Sequence, residues 1–405
     1  MPVSSSLEAR FEQLDPLLCR YRRLWQLRTF ECTELPWPEL RTWLGSLDAQ
    51  QRQQLLNDET ERREALRPHL TDIDALDSLC RIAPSTPSEY PTPPARLGNH
   101  IPGRKWQQIQ AFNAALRDSG RPFLEWCAGK GHLGRLLSFQ RQREVTSLEL
   151  QPQLCRHGQQ LADKQLLPCT LHAVDVMSPQ ASAHLQPAAQ QAVALHACGQ
   201  LHIQLLQQAA KHQLEALSVS PCCYHLIQAD HYQPLSDQGQ RSALRLSRYD
   251  LGLAVQETVT AGNRERRLRQ QELRWRLGFD QLQRQLRGVD QYLNCPTLPR
   301  SVLSGSFADF CRQMADRKQL ALPDNIDFDS FEQQGEDRIA LVEQLEIVRQ
   351  LFRRPLEIWL VLDRGLFLQQ QGYEVSIETF CERNLTPRNL LIQAWRSAKN
   401  QAEVN

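Results

Sequence analysis

The stretch Phe123 to Leu137, FLEWCAGKGHLGRLL, reads as a short apolar run, a glycine-broken turn and the start of an amphipathic helix. Glycine tolerates positive φ and lets the backbone approach a ligand, while the free amides at a helix start favour a negative group. Gly129-x-Gly131-x-x-Gly134 is therefore a candidate ligand loop, provided that a sheet stands behind it.

Outward from the turn, apolar runs alternate with helix-length spacers: RPFLEW, VTSLEL, CTLHAVDV, AVALHAC and ALSVSP, then YEVSIETF and NLLIQAW after a long gap. Such alternation predicts βαβ units, hence an α/β fold with a doubly wound, mostly parallel seven-stranded, Rossmann-like sheet. The last two runs are joined across CERNLTPRN, which suits an antiparallel terminal hairpin. Residues 1–82 carry helical spacing and are expected as an α-helical N-terminal region. Five prolines between Pro84 and Pro94 mark residues 83–97 as an extended linker. The remaining expectation is a catalytic domain over 98–400, with a helical arginine-rich insertion at about 230–355; no internal repeat is evident.

Composition narrows the class. Of 405 residues, 41% are hydrophobic and 23% charged, with a net charge of +1, as in ordinary globular proteins. No long apolar run and no basic-then-apolar leader in MPVSSSLEARFEQLD point to a membrane or secretory route, so no membrane partner and a cytoplasmic location are expected. Twelve cysteines then read as free thiols, ligands or catalytic groups rather than a disulfide framework.

Two cofactors fit the turn. Taken as GxGxxG, with Glu149 twenty residues beyond Gly129, it satisfies the dinucleotide fingerprint, and a nicotinamide oxidoreductase follows. Taken as acidic-x-Gly-x-Gly-x-Gly, it is an S-adenosylmethionine site: Glu125 is the acid facing the methionine ammonium, Cys127 stands for the first glycine, and Ala128, Gly129 and Gly131 complete the loop. Glu149, at the end of the second run, accepts ribose hydroxyls in either reading. Asp175, at the end of the third, suits an adenine amino group and favours the methyl donor. Cysteine fits at 127 if φ there is negative and the thiol faces the strand side.

LHACGQ ends the fourth run and SPCCYH the fifth, and neighbouring parallel strands deliver their C-terminal ends to one crevice. His225 and His196 are candidate general bases and Tyr224 a stacking platform for a planar acceptor, with His196 also near the cofactor. A cysteine nucleophile and a zinc site are alternatives. No metal is expected, because adjacent Cys222 and Cys223 should point to different faces. SPCCY also resembles the Asn-Pro-Pro-Tyr element of amino-methyltransferases, with one residue more and on the fifth run instead of the fourth.

Taken in order, PGRKWQQI, EWCAGKGHLGRLL, ALHACGQL, SPCCYHLI, LEIWLVLDRGLFLQQQGYEV and LTPRNLLI resemble the methyltransferase-like 25 proteins and their bacterial relatives, over about 100–397. These belong to a broader set with acceptor-stem tRNA 2′-O-methyltransferases. The resemblance implies a class I S-adenosylmethionine-dependent methyltransferase with Glu125, Gly129, Gly131, Glu149 and Asp175 on cofactor positions. The family commonly has glycine where this chain has Cys127.

Between 241 and 290 stand eleven arginines, no lysine and six acids, with Trp275 interleaved. Arginine pairs phosphates and stacks on bases, so structured RNA is an expected partner through this stretch. Arg104, Lys105, Arg354, Arg364 and Arg388 are candidates to extend the patch. The competing reading is a solvated helix with pairs such as Glu265 with Arg269 and Glu272 with Arg276. The resulting expectation is methyl transfer to a nucleophilic oxygen or nitrogen, on tRNA or rRNA. A protein or small-molecule acceptor, or an inactive binding module of the same fold, stands as the alternative.

Overall fold

The computed structural model describes residues 6–186, 190–256, 263–293, 295–296 and 299–396. Its centre is a seven-stranded sheet: β1 Phe123–Trp126, β2 Val145–Glu149, β3 Cys169–Ala173, β4 Gln191–Cys198, β5 Ala216–Cys222, β6 Tyr373–Thr379 and β7 Leu390–Arg396, in the order β3-β2-β1-β4-β5-β7-β6. β1 to β5 are mutually parallel, and β7 runs antiparallel between β5 and β6. Every apolar run named above became a strand, and the closing hairpin lies where its short connection placed it. Asp175 falls two residues beyond β3, in the loop.

Both faces of β1 are buried, as a central parallel strand requires. On one side Phe112, Phe123, Leu133, Leu137 and Val193 form the core with the helices Gly103–Ala115 and His132–Arg141. The helix Arg353–Gln370 packs against β6 and β7 and is buried over most of its length, its charged residues Arg353, Arg354, Glu357, Asp363 and Arg364 included. The leader's first helix, Leu7–Arg20, packs on it: Phe11 meets Trp359 at 5.3 Å, and Trp359 Nε1 donates to Asp15 Oδ1 at 2.8 Å. The proline-rich segment starts beside β6, where Thr379 N donates to Ala83 O and Ser85 N to Thr379 O, both at 2.9 Å, then turns to the helix Gly103–Ala115 through Ser88 N on Ala114 O and ends in a short helix, Ala95–Gly98, inside the expected linker. Proline suits this place because a strand edge needs no donor there.

The chain divides into two compact units. The first comprises Met1–Arg20, Ala75–Glu257 and Arg353–Asn405 and contains the sheet; the second comprises Tyr21–Asp74 and Thr258–Phe352 and is helical. The division thus cuts through the leader: its first helix joins the sheet, while residues 21–74 join the insertion. Within the helical unit the long helices Asn263–Arg287 and Phe328–Arg349 meet where a Cβ on Gly335 would come within 2.6 Å of Gly278 N, so their backbones touch directly. Trp275, Phe279, Phe307, Phe310 and Met314 fill the core beside them. Among the described residues, no helix is long and apolar enough to cross a membrane.

Candidate active site at the strand rim

Three carboxylates meet the turn after β1, each in a different way. Glu125 is in register with Ser147 on β2, and Ser147 Oγ donates to its Oε2 at 2.7 Å. Its side chain is buried, and a Cβ on Gly134 would lie 2.6 Å from Oε2, so the helix starts directly against the carboxyl. Burial raises the Glu125 pKa to about 7, opposed by the hydrogen bonds from Ser147 and the Gly134 backbone. Glu125 therefore sits behind the turn and fixes it to β2; the carboxyl is not presented at the rim to a ligand ammonium as its place in the motif suggests.

Glu149 is the rim carboxylate. Its Oε2 accepts from Gly129 N at 2.9 Å and its Oε1 from Gln151 N at 3.0 Å, and it is only half-buried. A carboxylate has about four acceptor positions, so both oxygens keep capacity for further donors. Asp175 is exposed, and its Oδ1 accepts from Met177 N at 2.9 Å. Since β1, β2 and β3 are adjacent, the Gly129 turn, Glu149 and Asp175 form one row along the C-terminal edge.

The turn itself is left-handed three times in five residues, at Cys127 (φ 60°), Gly129 (60°) and Gly131 (61°). This corrects the expectation of negative φ at Cys127: the position is one that glycine favours, and the cysteine holds it under strain. Burial pushes the thiol up to about 12, and the negative charges of Glu149 and Asp175 add to the effect. A Cβ on Gly129 would meet nothing within 4 Å, so the backbone there is an open cradle. An adenosyl group with two ribose hydroxyls and an exocyclic amine fits this row: donors toward Glu149 and Asp175, and a close backbone face at Ala128–Gly129.

On the other half of the rim, β4 and β5 are in register from Gln191 to Leu195 and then slip, Cys198 facing Cys222. His196 lies in this bulge with φ 72°, which turns its ring outward. Its Nε2 is 3.1 Å from Gln108 Oε1; with that oxygen accepting, Nε2 carries the hydrogen and Nδ1 is left basic. Desolvation first, then the charge of Lys105, lowers its pKa. His225 is half-buried, and its Nδ1 has no hydrogen-bond partner.

Tyr224 does not serve as a stacking platform. The ring is wholly buried, edge-on to His202 at 6.1 Å and under the Arg364 guanidinium at 5.1 Å. Arg364 is buried too, donating to His202 Nε2 at 2.9 Å, and Arg354 is ion-paired with Glu357 at 2.6 Å, so neither extends a basic surface. The premise that the adjacent cysteines diverge also fails. Cys223 has φ 47°, which breaks strand alternation and brings the sulfurs of Cys198, Cys222 and Cys223 within 4.8 Å of one another. Hydrogen bonds with Cys198 and then Cys222 hold the Cys223 thiol low, while those of Cys222 with Cys198 and then Cys223 push Cys222 up. Nothing in the residue order announces the positive φ of Cys127, His196 or Cys223, though the doubled cysteine was a visible signal.

The arginine-rich stretch is largely self-paired. Trp275 is core, its Nε1 donating to Glu332 Oε1 at 2.8 Å, and so does not stack on a base. Arg276 pairs with Glu272 at 2.7 Å as expected. Arg274 pairs with Glu332 at 3.3 Å, and buried Asp280 takes Arg284 at 3.0 Å and Arg338 at 2.5 Å. Residues 257–262 lie outside the described residues, as do the side chains of 263–266, Arg264, Glu265 and Arg266 among them.

Residues 104–230 match the family model described as a methyltransferase domain. With its parallel sheet closed by the antiparallel β7, the chain has the class I methyltransferase fold and carries a methyltransferase domain there. Among solved structures it is similar to magnesium protoporphyrin IX methyltransferase from Synechocystis PCC 6803 with bound S-adenosylhomocysteine, at 11% identity over 73% of this chain and 84% of that one, TM-score 0.30. It is also similar to the Pyrococcus abyssi tRNA (uracil-54, C5)-methyltransferase in complex with S-adenosyl-L-homocysteine, at 10% identity over 28% and 27%, TM-score 0.23. A third is an rRNA methylase from Streptococcus thermophilus, at 13% over 29% and 71%, TM-score 0.23. The chain thus spans 27% of the length of the tRNA enzyme. No curated protein sequence matches it.

Proposed function

We propose that the protein transfers a methyl group from S-adenosylmethionine to a nucleophilic oxygen or nitrogen on structured RNA, tRNA or rRNA. The observation that carries the methyl-transfer part is the row of open acceptors: Glu149 tied to Gly129 N, with Asp175 beyond it and a backbone cradle at Gly129. Glu149 would hold the ribose, Asp175 the adenine, and Glu125 the shape of the turn from behind. The sulfonium, when bound, supplies an electrophilic methyl, so the chain's own task is placement and exclusion of water. His196, rim-exposed, with its pKa lowered and Nδ1 left to accept, is suited to take the acceptor's proton, with His225 as the second candidate.

What supports RNA is the cationic surround of this half of the rim. Lys105 is exposed and, with Arg388, acts electrostatically on His196. Kinship with the methyltransferase-like 25 proteins is part of the same reading and rests on the ordered motifs from PGRKWQQI to LTPRNLLI. Calorimetry with S-adenosylhomocysteine tests the first half: absence of binding up to about 1 mM, where the standard free energy is only about −4 kcal/mol, would leave a binding module without a donor. Incubation with radiolabelled S-adenosylmethionine and separated RNA and protein pools tests the second. Label in RNA is expected, and label in protein alone overturns that choice.

A further inference from the structure

We propose that Cys198, Cys222 and Cys223 bind one thiophilic cation of the zinc class through three thiolates at the C-terminal rim of β4 and β5, with the fourth position left to solvent or a substrate atom. They form the only such triad among the described residues. Zinc holds thiolates at about 2.3 Å, so a tetrahedral ion requires sulfur pairs about 3.8 Å apart. Cys198 Sγ and Cys222 Sγ are 3.5 Å apart, and all three sulfurs fall within 4.8 Å. A disulfide would need about 2.05 Å between sulfurs. The Cys198–Cys222 pair is within about 0.3 Å of that spacing, and the third sulfur needs a shift of at most about 1 Å to reach it.

The backbone is shaped for this arrangement. Consecutive strand residues point to opposite faces, and Cys223 joins Cys222 on one side only because its φ is 47°. A non-glycine residue in that region persists where its surroundings over-determine it, and such outliers cluster at functional sites. Here the loops after β4 and β5 are locked together: Gly199 N donates to Cys222 O at 3.0 Å, and Gln200 N to Leu226 O at 2.7 Å. A Cβ on Gly199 would lie 2.1 Å from Leu226 O, so only glycine permits that closeness. Three thiolates around a divalent ion leave one net negative charge. The Arg388 guanidinium acts on Cys223 as nearby positive charge, which offsets it. No fourth His, Cys, Asp or Glu completes the group among the described residues, and a three-ligand zinc with an open position is the arrangement of catalytic sites.

The inference stands apart from the methyl donor, whose acceptors line the β1–β3 half of the rim. The test uses the full, tag-free chain purified without chelator and measured by plasma mass spectrometry. About one zinc per chain is expected, falling at least tenfold in Cys223→Ser, the more exposed of the two adjacent ligands. Cobalt replacement of the wild-type metal should give a thiolate-to-metal charge-transfer band that drops by about a third in Cys198→Ser. Should a serine variant fail to fold, the wild type stripped with a chelator and titrated with zinc against a chromophoric competitor gives the same answer without substitution. The proposal is overturned by a wild-type chain that takes up no zinc in that titration. Metal content unchanged in the folded triple serine variant, or a Cys198–Cys222 disulfide in the non-reduced peptide map, overturns it equally.

Discussion

The glycine turn after β1 and the arginine-rich helix Asn263–Arg287 both stand out in the sequence, and the structure treats them oppositely. In the turn, polar groups are anchored by one bond and keep capacity: Glu149 holds Gly129 N and Gln151 N and still faces the rim. In the helix, charges are consumed by one another, with Asp280 fully buried between Arg284 and Arg338 and Trp275 turned into the core. Density of a residue type is a weak sign of function; acceptors left open at the ends of parallel strands are a strong one.

The contrast can be broken most directly at Asp280. If the arginines are scaffold, Asp280→Ala removes the buried carboxylate shared by two guanidinium groups that are only 11% and 12% exposed, leaving Arg284 to Asp290 and Arg338 to the Phe30 carbonyl, and should cost about 3 kcal/mol in urea unfolding. Arg267→Ala, at an exposed position of the same helix, should change stability by less than about 0.5 kcal/mol. Equal effects from the two would mean that the pairs are not holding the unit together.

Next in size is Glu149→Ala. It removes a charged acceptor from the proposed ribose and leaves Gly129 N without its partner, so S-adenosylhomocysteine affinity should fall by about 3 kcal/mol, roughly 100-fold. Retained affinity would shift the binding role away from the β2 end and undo the comparison.

Glu125 provides a pH-dependent reading of how the turn is supported. Its folded pKa is raised from 4.5 to about 7, so between those values the folded state holds a proton that the unfolded chain has released. Stability contributed by this group is then complete below pH 4.5 and declines as pH rises toward 7, by up to about 3 kcal/mol. Glu125→Gln should flatten that slope relative to the wild type in unfolding measured across pH 4.5–7. An unchanged slope would mean that another group titrates there.

What was legible in the chain follows from locality. All seven strands were readable because a buried parallel strand is a run of apolar residues and a glycine turn is a string of adjacent letters. Asp175 and Glu149 were readable as strand-end carboxylates. The burial of Trp275 and Tyr224 was not, since an aromatic in an arginine-rich or cysteine-rich stretch looks alike whether it faces solvent or core. Nor was the partition of the leader: residues 21–74 and 258–352 form one unit through contacts far apart in sequence. Positive φ at His196 and Cys223 is imposed by the bulge and by the loop pairing after β4 and β5, and neither residue type signals it.

Cys127 offers the smallest expected effect and the sharpest division between readings. At φ 60° a side chain costs about 1–2 kcal/mol over the right-handed region, and glycine loses part of that gain to its freer unfolded state. Cys127→Gly should therefore stabilise the sheet unit by about 1 kcal/mol, a rise of roughly 2–4 °C in Tm. If the turn is a working cradle, S-adenosylhomocysteine affinity should hold or improve with it. A lower Tm would instead make the half-buried thiol a packing group whose contacts outweigh the strain. Donor binding that appears only in Cys127→Gly would identify the natural chain as a fold kept for binding, with its cradle closed by one sulfur atom.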